Sequence, residues 1–452
     1  MTAQNSAQTF RFAGSPGEAS MLVIAGELPP GFHGSETSDG WQCPLDAANA
    51  AAMRAWQPWC APQPAGARLS FGLGDRLGLA TRGHLRAVGG SGFFPVLAQQ
   101  SMREMQRAQR SPQAVLDDVT WAVAAENYRE GFGSDADHLK TVAEIDQCVD
   151  AGFVGFTIDP GAYVDDTAEA ASPAELARRH AALPWAALRA TPRDNQAYHE
   201  RAGLPADAYV RASVKYGAAI AHVAALYDHL ARRMGAAPFD LEISVDETSS
   251  PTSHAQHRYI AAELHRLGVR FSGLAPRFVG DFFKGVDYVG SLQAFEADYA
   301  AHAAIAREMG GYKLSLHSGS DKFSIYPLVA RHSGSALHVK TSGTSWLEAL
   351  RVIAQHDPAL FRQIMQLAAE GYTQNRQSYH VSAEPGRIPA LGDERLPELL
   401  ENDDARQTLH VAFGSVLAAQ RSAIYGALQA RPDAYWQTVS AHIGRHLAAL
   451  RR

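Results

Sequence analysis

Acidic, imidazole and cationic side chains recur in this chain at one kind of position, the polar end of a short apolar run. They are Asp75, Glu126, Asp159, Asp246 with Glu247, Arg277, His317, and His338 with Lys340. A carboxylate with two imidazoles forms a ligand set for a divalent transition metal, with positions left open for substrate. The expected set is Asp246 or Glu247 with His317 and His338, suited to Zn, Mn, Ni or Fe. A one-residue slip along a strand exchanges its faces, so Asp246 and Glu247 both stay in the set. His254 and His257, three residues apart, form a weaker second pair. In His317-Ser-Gly-Ser-Asp-Lys322, small residues after an apolar run would expose backbone N–H groups to an anion. Lys322 and Arg277 would add charge that clamps a carboxylate or phosphate.

Such residues converge only if the runs that carry them do. Period-2 alternation marks them as strands. In Leu241–Glu247, Ile243 and Val245 oppose Glu242, Ser244 and Asp246; Leu314 and Leu316 oppose Ser315 and His317; Leu337 and Val339 oppose His338 and Lys340. The expected strands are 68–74, 119–126, 153–159, 240–246, 269–275, 312–317, 336–341 and, weakly, 379–382. Helical stretches alternate with them. Ser253 can cap one that Gly268 ends, Ser291 can cap another, and Thr344 or Ser345 a third. The segment 160–239 reads as a helical insertion after the third strand, with an amphipathic helix near 205–234. Residues 401–452 read as two helices. Eight strands in β/α rhythm predict an α/β fold, a (β/α)8 TIM-like barrel spanning 68–452. Residues 1–67, irregular and holding Trp41, Trp56 and Trp59, read as an extension packed on it. The polar strand face would point into the barrel and its last residues would reach the C-terminal mouth, where this fold keeps its active sites.

Composition excludes several other classes. The chain has 452 residues, 46% hydrophobic and 19% charged, which suits a folded protein with a large core. With 41 basic against 47 acidic residues it lacks the basic excess of a nucleic-acid binder. No apolar run approaches a membrane span. Met1–Ser15 lacks the apolar core of a secretory signal, so the expected location is cytoplasmic. The three cysteines, Cys43, Cys60 and Cys148, make neither a disulfide framework nor a CxxC site. Gly72-Leu-Gly-Asp-Arg-Leu-Gly78 has the wrong spacing for a dinucleotide loop, and no GxxxxGK[ST] or GxSxG occurs.

Longer motifs carry a family resemblance. Phe71-Gly-Leu-Gly-Asp-Arg-Leu-Gly-Leu-Ala-Thr81 with Gly83-His84, Ser244-Val-Asp-Glu-Thr248 with Pro251-Thr-Ser253, Leu274-Ala-Pro-Arg-Phe-Val-Gly280, Lys284-Gly-Val-Asp-Tyr288, Lys313 through Tyr326, and Lys340-Thr-Ser-Gly-Thr-Ser-Trp-Leu-Glu348 resemble the tagaturonate epimerase family. The resemblance implies a metal-dependent isomerase that interconverts D-tagaturonate and D-fructuronate in hexuronate catabolism. Its partner would be a small-molecule sugar acid, with neither nucleic acid nor membrane; a homo-oligomer stays open. Substrate-binding residues are expected among Asp75, Arg76, His84, Arg277, Ser318, Asp321 and Lys322. The two keto acids differ at a hydroxyl-bearing carbon β to the ketone. Enolisation does not reach that C–H, which leaves retro-aldol cleavage and re-addition or transient oxidation by a bound nicotinamide; no dinucleotide fingerprint is visible, which favours the first. Glu126 and Asp159 are the expected acid/base pair, and Lys340 would polarise an oxygen or act as the acid, with a Schiff-base role as the metal-free variant. An aldolase, or an epimerase of another ketose or sugar acid, is the alternative.

Overall fold

A computed structural model describes residues 9–13 and 21–451. Residues 1–8, 14 and 15 of the stretch read for a secretory signal lie outside the described residues. No helix among those described is long and apolar enough to cross a membrane.

Two sheets organise the chain. The first is antiparallel, with β1 (Phe10–Ala13), β2 (Met21–Ile24), β3 (Ser35–Thr37) and β4 (Gly40–Pro44) in the order β1-β2-β4-β3. The N-terminal region is therefore more regular than its Gly- and Pro-rich sequence suggests. Its helix Ala47–Trp56 packs on helix Pro112–Ala125, where the Arg54 guanidinium meets Asp117 at 2.7 Å and Thr120 at 2.9 Å.

The second sheet is a closed parallel barrel of eight strands. They are β5 (Ser70–Leu73), β6 (Phe94–Ser101), β7 (Gly133–Leu139), β8 (Gly155–Ile158), β9 (Asp240–Ser244), β10 (Gly273–Ala275), β11 (Lys313–Leu316) and β12 (Leu337–Thr341). Pairing of His338 with Ser70 and Lys340 with Gly72 closes the ring. Ile243, Leu314, Leu316, Leu337 and Val339 are buried in the main hydrophobic core. The alternate residues point into the barrel, since Lys340 on β12 reaches Asp135 and Asp137 on β7 and Glu242 on β9. The two strand faces divide as their alternation predicts.

Six of the expected strands are strands and two are not. Val119–Glu126 belongs to helix Pro112–Ala125, which Ser111 caps and Pro112 opens. Tyr379–Ser382 is irregular, apart from any strand. The places they held go to β6, where Pro95 disguises the strand, and to β7, whose Gly-Ser-Asp-Ala-Asp-His-Leu reads as a loop. The insertion thus follows the fourth barrel strand, not the third. It holds helix Ala206–Met234. Ser253 and Ser291 cap their helices as read, but helix Thr344–His356 starts after Gly343 without a side-chain cap. Residues 403–449 form three helices rather than two, Asp403–Val411, Phe413–Gln429 and Pro432–Ala449. The last packs on helix Thr81–Val88, where Gly83 lets the Trp436 backbone approach; a Cβ there would lie 2.8 Å from the Trp436 carbonyl.

Candidate active site at the barrel mouth

Inside the barrel, charge is arranged in layers. The Lys340 ammonium sits among Asp135 (2.7 Å), Asp137 (2.8 Å), Glu242 (2.9 Å) and the Thr157 hydroxyl (2.7 Å). Burial alone would lower its pKa, but these carboxylates hold it well above the ordinary lysine value. An ammonium so fixed does not supply the free amine that Schiff-base chemistry needs.

Above Lys340, two imidazoles face each other. His317, just past β11, donates to Glu242 at 2.5 Å and lies 3.2 Å from Asp246. His138, on β7, has its ring centroid 5.2 Å from that of His317 and bonds Asp159 at 3.3 Å. His138 is in the left-handed region at φ 55°, and the β7–β8 register shifts between Ala136 and Leu139. That irregularity lets two consecutive residues, Asp137 and His138, both face the interior, which a regular strand forbids. Donor atoms of Asp137, His138 and His317 all lie within 4.8 Å of one another. His138, Asp159 and Glu247 form a second, overlapping group.

The electrostatics suit a cation. Burial works against a charge on His317, but Asp246 and Glu242 prevail and push its pKa up to about 10. Burial likewise opposes a charge on His138, and Asp137, Asp159 and Asp246 push it up to about 9. Asp246, Asp137 and Glu242 are held well below the carboxylate range against the cost of their burial, chiefly by His317, His138 and Lys340 respectively. The acidic cage thus calls for two positive charges at the imidazole pair. One divalent ion with neutral imidazole ligands meets that demand, so the residues present fit a transition metal.

A cavity of about 360 Å³ opens beside the pair. Asp246, Glu247 and His317 line it together with Arg277, Lys284 and Ser318 and with Ser378, Tyr379 and His380. Lys284 donates to the Ser318 hydroxyl at 2.5 Å and Arg277 to the Thr248 carbonyl. A smaller cavity of about 210 Å³ adjoins it through Glu247 and is lined by His138, Lys140 and Asp159. The Ser378–His380 wall comes from the irregular segment misread as a strand. His380 reaches Asp281 at 3.0 Å and Arg107 binds the Ser378 hydroxyl at 2.8 Å.

The residues singled out from the sequence therefore divide. Asp159, Asp246, Glu247, Arg277, His317 and Ser318 meet at the mouth. Lys340 lies one layer down. His338 is deeper still, with Ser70 at 2.9 Å, and burial pushes its pKa down to about 3; it joins none of the donor groups. Two residues below Lys340 on the same strand face, it has Lys340 between itself and the mouth. Asp75 turns its carboxylate onto the N–H groups of Leu77, Gly78 and Ala80, which fills the glycine-rich loop with its own side chain. Arg76 is buried on Glu104 and the His410 carbonyl, and His84 is buried against Ser345. Asp321 pairs with Arg406 and His442 beneath the C-terminal helices. Lys322 spends its ammonium on the carbonyls of Phe283, Val286 and Ser320. The N–H groups after His317 are spent too, Asp321 on His446 and Lys322 on Tyr326. These five side chains support the fold and lie apart from the mouth.

Glu126 is the clearest correction. It ends helix Pro112–Ala125 and pairs with Arg82 and Arg86 outside the barrel. Glu126→Gln is expected to leave kcat/KM within about 2-fold of wild type and to cost about 1 kcal/mol or less, as for a surface pair. Steady-state kinetics and a denaturation curve check both. Reasoning from the sequence missed Asp135, Asp137 and His138 and put Glu242 on the polar strand face without giving it a role; in β7 the signal was Asp-Ala-Asp, two acids alternating with a small residue.

A family model described as tagaturonate epimerase matches residues 17–450. The chain is 40% identical to the tagaturonate/fructuronate epimerase of Thermotoga maritima, over 96% of this chain and 92% of that protein. It superposes on the native crystal structure of the fructuronate-tagaturonate epimerase UxaE from Cohnella laeviribosi with a TM-score of 0.91. The identity is 35%, covering 99% of this chain and 95% of the other. A glycerol complex of the same protein superposes with a TM-score of 0.90 at 34% identity, covering 99% and 95%. The fold and nearly the whole chain length are shared, and the chain belongs to the tagaturonate epimerase family, isomerases that act on keto sugar acids.

Proposed function

We propose that the barrel mouth interconverts D-tagaturonate and D-fructuronate by retro-aldol cleavage and re-addition, with a divalent metal held by His138, His317 and Asp137. The observation that carries this reading is the facing imidazole pair in its acidic cage, opening onto a cavity walled by cations. Such a metal would act as a Lewis acid toward the ketone. One of two carboxylates, Glu242 on the Nε2 side or Asp246 on the Nδ1 side, would orient His317 through the single N–H that a neutral ligating imidazole keeps, as carboxylates do behind metal-ligating histidines. Arg277 and Lys284 hold the substrate carboxylate. Asp159 or Asp246 accepts the proton of the β-hydroxyl as the neighbouring C–C bond breaks. The electron pair of that bond passes into the ketone fragment as an enediolate, and the other fragment becomes an aldehyde. After the aldehyde turns, the bond re-forms on its opposite face and the new alkoxide takes back the proton that this carboxylate had accepted, so no proton is gained or lost overall. Lys340 acts as a positioning residue, fixing Asp137 and Glu242 under the pair. A small-molecule sugar acid as partner suits an enzyme of cytoplasmic hexuronate catabolism.

The test is NMR of D-tagaturonate with the purified enzyme in D2O, first stripped by a chelator and then supplied with Mn, Ni or Zn. Metal-dependent fructuronate without carbon-bound deuterium and without free three-carbon products is expected. Free fragments formed as fast as substrate disappears would make the enzyme an aldolase. No conversion with any metal would remove the tagaturonate assignment. Arg277→Ala is expected to raise KM about 10- to 100-fold, the loss of a charge-assisted contact worth roughly 1.5–3 kcal/mol, with a smaller effect on kcat.

A further inference from the structure

Three side chains meet outside the barrel, between two helices that its mechanism does not use. His254 opens helix His254–Arg266, and Asp298 and His302 lie one turn apart on helix Leu292–Glu308. His254 Nε2 is 3.1 Å and His302 Nε2 3.6 Å from the same Asp298 oxygen, and the donor atoms all fall within 4.8 Å of one another. The His302 side chain is 0% exposed. Its Nε2 has no hydrogen-bond partner among the described residues. At 3.6 Å the contact to Asp298 is too long for a hydrogen bond, so this buried ring nitrogen points into the cluster without a partner of good hydrogen-bond geometry, the Thr252 carbonyl being the other polar group beside the ring.

The rest of the ring is committed. His302 Nδ1 lies 2.8 Å from His257 Nδ1, and His257 Nε2 lies 2.6 Å from the Tyr312 hydroxyl. Two proton arrangements satisfy this chain, and metal binding would select the one in which His302 Nδ1–H donates to His257 Nδ1 and His257 Nε2–H donates to Tyr312. That tautomer leaves the His302 Nε2 lone pair free and aimed at Asp298 and His254. It also supplies the supporting hydrogen bond typical of a metal-ligating histidine. Burial, with His254 beside it, keeps the ring neutral by pushing its pKa down to about 3, against the Thr252 carbonyl.

The geometry points to a second divalent transition-metal site, built by His254, Asp298 and His302, with zinc the preferred ion. Zinc bonds of about 2.0–2.1 Å in a tetrahedron separate neighbouring donors by roughly 3.3–3.4 Å, which the distances of 3.1 and 3.6 Å bracket. His254, with a side chain 48% exposed, provides the entry side, and water would take the remaining position. The ion would staple the start of one rim helix to the middle of the next. The stapled corner supports the cavity wall: Thr252 accepts from the Arg277 N–H at 3.0 Å, and Phe278 packs edge-on against His302 at 5.5 Å.

The test uses the full-length enzyme stripped by a chelator and titrated with zinc chloride, followed calorimetrically and by metal content after desalting. Wild type is expected to bind one zinc per chain more than His254→Ala or Asp298→Asn. Loss of a direct ligand should weaken this site at least ~100-fold, the upper end of what loss of a supporting partner costs. Zinc should also raise the wild-type Tm by more than that of either variant. His317→Ala, titrated in parallel, reports the barrel site separately, so failure of one site is not mistaken for failure of the other. Wild-type stoichiometry and affinity in His254→Ala would overturn the proposal, and that half-exposed position decides the matter should Asp298→Asn fold poorly.

Discussion

His317→Ala is expected to lower kcat/KM by about 10³- to 10⁴-fold, equivalent to roughly 4–5.5 kcal/mol of transition-state stabilisation. The magnitude follows from how many roles meet at this ring. His317 faces His138 across 5.2 Å, bonds Glu242 at 2.5 Å and lies 3.2 Å from Asp246. Its removal takes away a metal donor and leaves two buried carboxylates without their partner. Steady-state kinetics, paired with metal content, separates the possible origins. Loss of both activity and bound metal supports the ligand assignment. Loss of activity with metal retained would make the imidazole an acid or base instead. Activity within 10-fold of wild type would move the reaction away from this part of the mouth.

Lys340→Met is expected to destabilise the fold by about 3–5 kcal/mol, the cost of breaking a buried charge cluster from one side. Three carboxylates, on Asp135, Asp137 and Glu242, lie within 2.9 Å of its ammonium, and the barrel interior gives them little water in exchange. Asp135 is the weak member of the set, since burial raises its pKa even with Lys340 beside it. The double variant Asp135→Asn with Lys340→Met should therefore recover part of the loss, an interaction between sites rather than a sum. Equilibrium unfolding in guanidinium chloride measures both. A single variant as stable as wild type, or a double variant as unstable as the sum of the two changes, would show that Lys340 does not neutralise this cluster.

The division between what was legible and what was not follows from local geometry. β9, β11 and β12 alternate apolar and polar residues, so their inward faces, and with them Glu242, His317, His338 and Lys340, can be separated by eye. Depth is another matter. His338 and Lys340 share a face but differ by two residues along the strand, which puts one above the other in the barrel. No one-dimensional pattern says which layer meets the substrate. Glu126 failed for a different reason: Val-Thr-Trp-Ala-Val-Ala-Ala is equally apolar as strand or helix, and the Ser111–Pro112 start signal upstream decides for helix.

By itself the sequence determined the barrel and the residues at the ends of the strands that alternate cleanly, because burial on one face imposes a period that survives in one dimension; its long motifs carried the resemblance to the family. Only the tertiary structure decided which of those residues meet. It brought His138 to His317 through a left-handed residue and a register shift on a strand too polar to read as one. It carried Ser378–His380 from an irregular segment about 60 residues downstream of His317 to wall the cavity. It also spent Asp75, Arg76, His84, Asp321 and Lys322 on buried partners far along the chain or in adjacent turns. A strand end specifies where a side chain starts; the partners that claim its charge are set by closure of the barrel and the packing of helices around it.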